Sequence, residues 1–355
     1  MSHVMGEANL LKGLLKPTWA SFMIQTRQKF EKRQVFFLHQ GSGSLLVTQE
    51  QLMGLYNAQE YRRAFELVEQ EQASFPDQSR EIAYWRLCMH ALLGKPAEAL
   101  DIFREALDRS EWFSPTWLKD DPDLASLQQL PAFQEMTEIC LQRFKEAQAN
   151  VQPELLVRKP EEQQKAFPLL IAMHGNTGNM HNTVEHWNNV ITQNWLLAVP
   201  QSSQIVGQDA FVWDEREIGI SEVRADLTRL SREYVIDPGR VVLGGFSMGG
   251  GQAIWMALQQ SIKTRGFVVL APYLLEAELE ALPALLASQK PAGLRGSLLV
   301  GEKDTACVKI SRKVVEIMQE YDLPCDMEIL SNLGHSYPPD FAEYVLKGLA
   351  FIEQG

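Results

Sequence analysis

Few cysteines, no long apolar run and no excess of positive charge set the first limits on this 355-residue chain. Cys88, Cys140, Cys307 and Cys325 stand far apart, in neither a metal-ligand nor a redox spacing. Reduced thiols, and so a cytoplasmic protein, are the expectation. No uninterrupted apolar stretch approaches the length of about 20 residues that a spanning helix needs. Near the N-terminus Lys12 and Lys16 interrupt the leucines and Pro17 follows, a poor pattern for a signal peptide. The formal charge of −12 argues against a nucleic-acid partner, whose phosphates call for a basic face. The first forty residues depart from that acidity, with six Lys/Arg against two Asp/Glu. Residues 1–46 are expected to form an accessory extension, with membrane-surface contact the weaker reading.

What is present divides the chain in two. Gly41-Ser42-Gly43-Ser44 is a hinge composition, and residues 47–150 beyond it read as helices throughout. Tyr61, Ala64 and Pro76, then Gly94, Ala99, Phe103 and Ala106, fall in similar frames. The 35-residue step from Ala64 to Ala99 is close to the tetratricopeptide period. A short tetratricopeptide-like array is one reading; an irregular helical bundle is the other. Pro153, Pro160 and several charges place a boundary near 150. From 151 to 355, apolar strand-like runs (168–173, 195–199, 241–243, 267–270, 297–300) alternate with amphipathic helices. That alternation predicts a doubly wound, mostly parallel α/β sheet. Asp237-Pro238-Gly239 reads as the turn into the third of these strands.

The chemistry gathers in this second part. Gly245-Phe246-Ser247-Met248-Gly249 follows one of the strands and precedes a helical stretch at 251–260. A serine on a sharp strand-to-helix turn needs small residues two places either side, and the helix N-terminus behind it favours developing negative charge. A serine hydroxyl also needs a base held by an acid, here expected in the order Ser, acid, His along the chain. His335 is the one histidine after Ser247. Asp304, in a polar loop after 298–301, is the preferred acid, with Glu302 its rival. Two N–H donors must hold an oxyanion. One is expected from Met248, the other from the loop 174–179, most naturally Asn176, with His174 bracing that loop. His181 and His186, with Glu185 between them, miss the spacing of zinc-protease helices, and no metal is expected.

Together, HGNTGN at 174–179, VPQSSQ at 199–204, FVWDE at 211–215, DPGRVVLGGFSMGG at 237–250, GEKD at 301–304 and LGH at 333–335 resemble the predicted-esterase and phospholipase/carboxylesterase branch of the α/β-hydrolase superfamily, close to dienelactone hydrolase. The resemblance implies cleavage of carboxylic esters through an acyl-enzyme, a small-molecule ester substrate and no cofactor. It leaves the acyl group open, since acyl-protein thioesterases and feruloyl esterases belong to the same branch. It also has Trp213 and Asp214 line or support the site entrance, an exposed loop being the other reading. A protein-interaction scaffold with a passive hydrolase part, its helical segment docking a protein partner, is the rival from another class; a serine peptidase is the narrower alternative. Between 271 and 297 there is room for about one helix rather than a large cap, so the helical segment is expected to shape the cleft entrance.

Overall fold

A computed structural model describes residues 51–354 apart from 53, 72–78 and 163. The expected extension at 1–46, the hinge at 41–44 and Pro76 lie outside these residues. Helices α1 (Tyr61–Glu71), α2 (Ser79–Leu92) and α3 (Pro96–Asp108) pack in succession. The short α4 (Pro115–Asp120) and the long α5 (Pro131–Asn150) follow. The α2–α3 corner is written in the sequence. Gly94 takes φ +70°, a conformation that costs a residue with a Cβ, and Lys95 N–H closes on His90 O at 2.9 Å. Pro96 then opens α3, where a missing N–H costs nothing. Ala64 and Ala99 are both fully buried. The second repeat frame is not completed by a long helix, because only the six residues of α4 follow α3. A tetratricopeptide relation therefore rests on residue spacing alone.

The second part holds a seven-stranded sheet in the order β1-β3-β2-β6-β7-β8-β9. Its strands are β1 (Glu154–Arg158), β2 (Phe167–Met173), β3 (Leu196–Gln201), β6 (Ile236–Phe246), β7 (Gly266–Leu270), β8 (Arg295–Gly301) and β9 (Cys325–Leu330). A separate hairpin pairs β4 (Ile205–Gly207) with β5 (Ala210–Phe211). All sheet pairs are parallel except β1 with β3. Strands β2, β3 and β7 are buried at every residue, as parallel strands covered on both faces must be. The connecting helices are α6 (Met180–Trp187), α7 (Arg216–Glu233), α8 (Met248–Leu258), α9 (Glu276–Ser288), α10 (Thr305–Glu320) and α11 (Phe341–Glu353). Trp187, Phe246, Leu270, Val300 and Tyr337 belong to one core cluster directly beneath the strand ends. This is the α/β-hydrolase fold.

Three expectations change. The stretch before 167, read as a boundary, carries β1, an antiparallel edge strand whose partly buried middle gives only a weak apolar signal. Asp237-Pro238-Gly239 is a bulge inside β6 rather than a turn before it. Pairing with β2 jumps from Ile236 to Val241, and the Asp237 side chain accepts the Gly239 N–H at 2.9 Å. The helix expected at 251–260 begins at Met248, directly after the serine. The single helix between β7 and β8 is α9, as the spacing indicates. The division near residue 150 stays a proposal: α5 ends at Asn150 and β1 starts at Glu154, while by contacts the described residues fall in one unit. No helix among them is long and apolar enough to cross a membrane.

Candidate active site

Strand β6 ends at Phe246 and α8 starts at Met248, leaving Ser247 alone to make the turn. Its φ of 54° and ψ of −119° are costly for a residue with a Cβ, of the order of 1–3 kcal/mol, and the surrounding contacts hold it there. Ser247 N–H donates to Leu270 O at 2.9 Å, and Ser247 O accepts from Gly251 and Tyr273 N–H. The turn also needs close backbone approach. A Cβ on Gly249 would lie 2.3 Å from His174 O, and one on Gly245 would lie 2.4 Å from Gly249 C. Both flanking glycines are therefore demanded by space.

The acid follows β8 and the base follows β9, the last two strands at that edge of the sheet. The loop after β8 is laced to the loop after β9 by Glu302 N–H to Leu330 O and Lys303 N–H to Leu333 O, each 2.9 Å. This brings Asp304 Oδ2 within 2.5 Å of His335 Nδ1, and His335 Nε2 within 2.9 Å of Ser247 Oγ. With Nδ1 donating to the carboxylate, Nε2 is left to accept the serine proton. Glu302 does not reach the ring; its carboxylate accepts Asn332 N–H at 3.2 Å. Burial pushes the Asp304 carboxyl up, but hydrogen bonds and charge from His335, with further hydrogen bonds from Cys307, outweigh this and hold it below its ordinary value. Phe246 lies against the His335 ring at 4.8 Å between centroids.

Met248 opens α8 directly after Ser247, and Asn176 lies in the loop after β2. Neither backbone amide donates to another described residue. His174 is fully buried and braces the loop. Its Nδ1–H donates to Gly175 O at 2.8 Å, and its Nε2 accepts Ser202 N–H at 3.4 Å. Burial holds its pKa down at about 4, so the ring is neutral. Trp213 stacks on it at 4.8 Å and donates Nε1–H to His174 O at 3.0 Å. Trp213 is fully buried, so it supports the loop from within instead of lining an entrance. Asp214 is also largely enclosed, and burial raises it to about 7.

Two groups escaped the sequence reading. Arg216 grips Glu278 with two hydrogen bonds of 2.7 and 3.1 Å, and turns its remaining nitrogen to Gln252 Oε1 (3.1 Å) and Met248 O (3.4 Å). This buried pair braces the start of α8 from behind, and its members are 62 residues apart, beyond any local pattern. Cys307 is the second. Its N–H donates to Asp304 Oδ1 at 3.2 Å and its sulfur lies 3.7 Å from His335 Nδ1. Asp304 thus caps α10 while holding the imidazole. A capping carboxylate three residues before Cys307 was the signal that could have revealed it. His186 stacks on Tyr337 at 3.7 Å, and burial lowers its pKa to about 4.

Residues 46–148 match the family described as "A/B hydrolase-like, N-terminal domain". No curated protein matches the chain. Among solved structures, an uncharacterized protein from Bacillus cereus ATCC 10987 is 25% identical over 87% of this chain and 98% of its own, with a TM-score of 0.50. Esterase PE8 is 16% identical over 57% of this chain and 99% of its own, at a TM-score of 0.48. A fluorophosphonate-binding serine hydrolase, FphF from Staphylococcus aureus, is 14% identical over 56% and 91%, at 0.44. The chain thus has the fold of the α/β-hydrolase superfamily, and its helical segment matches the N-terminal domain of A/B hydrolase-like proteins.

Proposed function

We propose that the chain is a serine hydrolase that cleaves carboxylic esters through an acyl-enzyme, with Ser247 as nucleophile, His335 as base and Asp304 as the orienting acid. The observation that carries the reading is the continuous relay Asp304–His335–Ser247, with its serine held in a strained turn at a helix N-terminus. His335 Nε2 takes the hydroxyl proton as Ser247 Oγ bonds to the ester carbonyl carbon. The oxyanion accepts hydrogen bonds from the Met248 and Asn176 amides. His335 then returns the proton to the departing alcohol. Water enters and bonds to the acyl carbon as it loses a proton to the same nitrogen, and His335 returns that proton to Ser247 Oγ as the acyl–oxygen bond breaks and the acid leaves. The scheme needs no cofactor. The free cysteines of the described residues suit a reducing cytoplasm.

A serine-reactive fluorophosphonate tests the reading directly. Wild-type protein should take up the label and turn over at least one of a graded series of acyl esters. Ser247→Ala should do neither, with a kcat loss of about 10⁶-fold where nucleophile removal follows serine-protease precedent. Undiminished labelling of the variant would move the nucleophile elsewhere.

A further inference from the structure

The helical segment touches the α/β part through a small structure that the proposed chemistry does not use: the tip of the β4–β5 hairpin, Gln208 and Asp209. From α2, Arg80 donates Nη1–H to Gln208 O and stands 3.7 Å from the Asp209 carboxylate. From the loop between α3 and α4, Trp112 N–H donates to the Gln208 side chain at 3.0 Å. That loop is itself clamped, since Arg143 of α5 donates to Glu111 O at 2.8 Å and Leu107 O at 3.1 Å. The same hairpin grips the loop after β2. Phe211 N–H donates to Gly178 O at 3.1 Å, and Asn179 Nδ2–H donates to Asp209 O at 3.2 Å. The chain then passes to Trp213, which holds His174 O. Hydrogen bonds, with the hairpin's own chain between them, thus link the helical segment to both ends of the loop 174–179.

We propose that Arg80, Trp112 and Gln208 form a strut by which the helical segment positions the 174–179 loop for oxyanion binding, making them positioning residues for the reaction proposed above, on which this inference rests. An oxyanion donor works only when aimed, before reaction, at the place where charge will develop. Losing one such donor outright costs about 10²–10³-fold in kcat. Loosening its support costs a part of that. The strut engages Gln208 and Asp209, at a turn where Asp209 takes φ +50°.

The test uses the full chain carrying Arg80→Ala, Arg80→Lys or Asn179→Ser. Serine at 179 keeps an oxygen to cap α6, where Asn179 now accepts Asn182 N–H at 2.9 Å, but has no donor reaching Asp209. Arg80→Ala and Asn179→Ser should each lower kcat about ten-fold with KM within about two-fold, and Arg80→Lys should recover most of the loss. Hydrogen exchange of the 175–178 amides should quicken in Arg80→Ala while that of β7 and β8 stays unchanged. Unchanged kcat in a turning-over enzyme, or a rise confined to KM, overturns the strut. If the wild type cleaves no ester, the functional reading fails, and the exchange measurement alone decides whether the helical segment holds the loop. If Arg80→Ala does not fold, Asn179→Ser decides the question in its place.

Discussion

Asp304 serves two partners with its two oxygens, the His335 ring through Oδ2 and the Cys307 amide through Oδ1. Asparagine in its place keeps an acceptor for the helix cap but loses the charge that steadies a protonated imidazole. Asp304→Asn should therefore leave the melting temperature nearly unchanged while lowering kcat by about 10⁴-fold, as for a triad acid elsewhere. Glu302→Gln should change kcat less than about two-fold, because that side chain only accepts Asn332 N–H. Steady-state kinetics of the two variants check the ranking, and the reverse order would give the acid role to Glu302. At this scale the sequence was informative wherever chemistry dictates order. Ser247, Asp304 and His335 were each identifiable from a strand end, a loop and the chain order, and they meet in space. Arg216 and Glu278 were not identifiable. A charge pair behind a helix leaves no spacing to read, and each residue alone resembles a solvated side chain.

The turn between β6 and α8 is an element whose shape depends on absent atoms. Gly249→Ala would press a methyl group against the carbonyls of Met173 and His174, at 2.4 and 2.3 Å, and backbone cannot swing aside as a side chain would. We expect a loss of about 1–3 kcal/mol or more and an inactive or insoluble protein. Gly334→Ala is the control, since nothing lies within 4 Å of the added carbon, and it should leave stability within about 0.5 kcal/mol. Chemical denaturation of both variants makes the comparison; equal stability would mean the turn is laxer than its contacts imply. The fully buried strands were legible because a short, continuous apolar run between turn residues suits a strand covered on both faces and little else. β1 was not, because an edge strand half open to water has no such run. The β6 bulge was hidden for another reason: Asp-Pro-Gly marks a reversal equally well before a strand or inside one.

Across the whole molecule, buried titratable groups oppose one another. Burial holds His174 and His186 at about 4 against an ordinary 6.5. Between those values the unfolded chain binds protons that the folded chain refuses, so their contribution to stability rises with pH. Burial lifts Asp214 and Asp226 to about 7 from 3.8. Over nearly the same window the folded chain holds protons that the unfolded chain has released, so their contribution falls as pH rises. Two groups of each kind make these four contributions nearly cancel from about pH 4 to 6.5. Replacing both aspartates by asparagine should expose the histidine slope, at up to about 1.4 kcal/mol per pH unit for each ring, read as urea midpoints across that range. A flat profile in the double variant would show that the rings titrate normally. The strut, finally, bears on the order of events during synthesis. Arg80 and Gln208 are 128 residues apart and Trp112 and Gln208 are 96 apart, whereas the helices of the first part meet neighbours close in sequence. Such local contacts form early on a growing chain. The helices therefore stand ready when the hairpin leaves the ribosome, and the loop 174–179, translated between the two, receives its outer support only after about thirty more residues have been added.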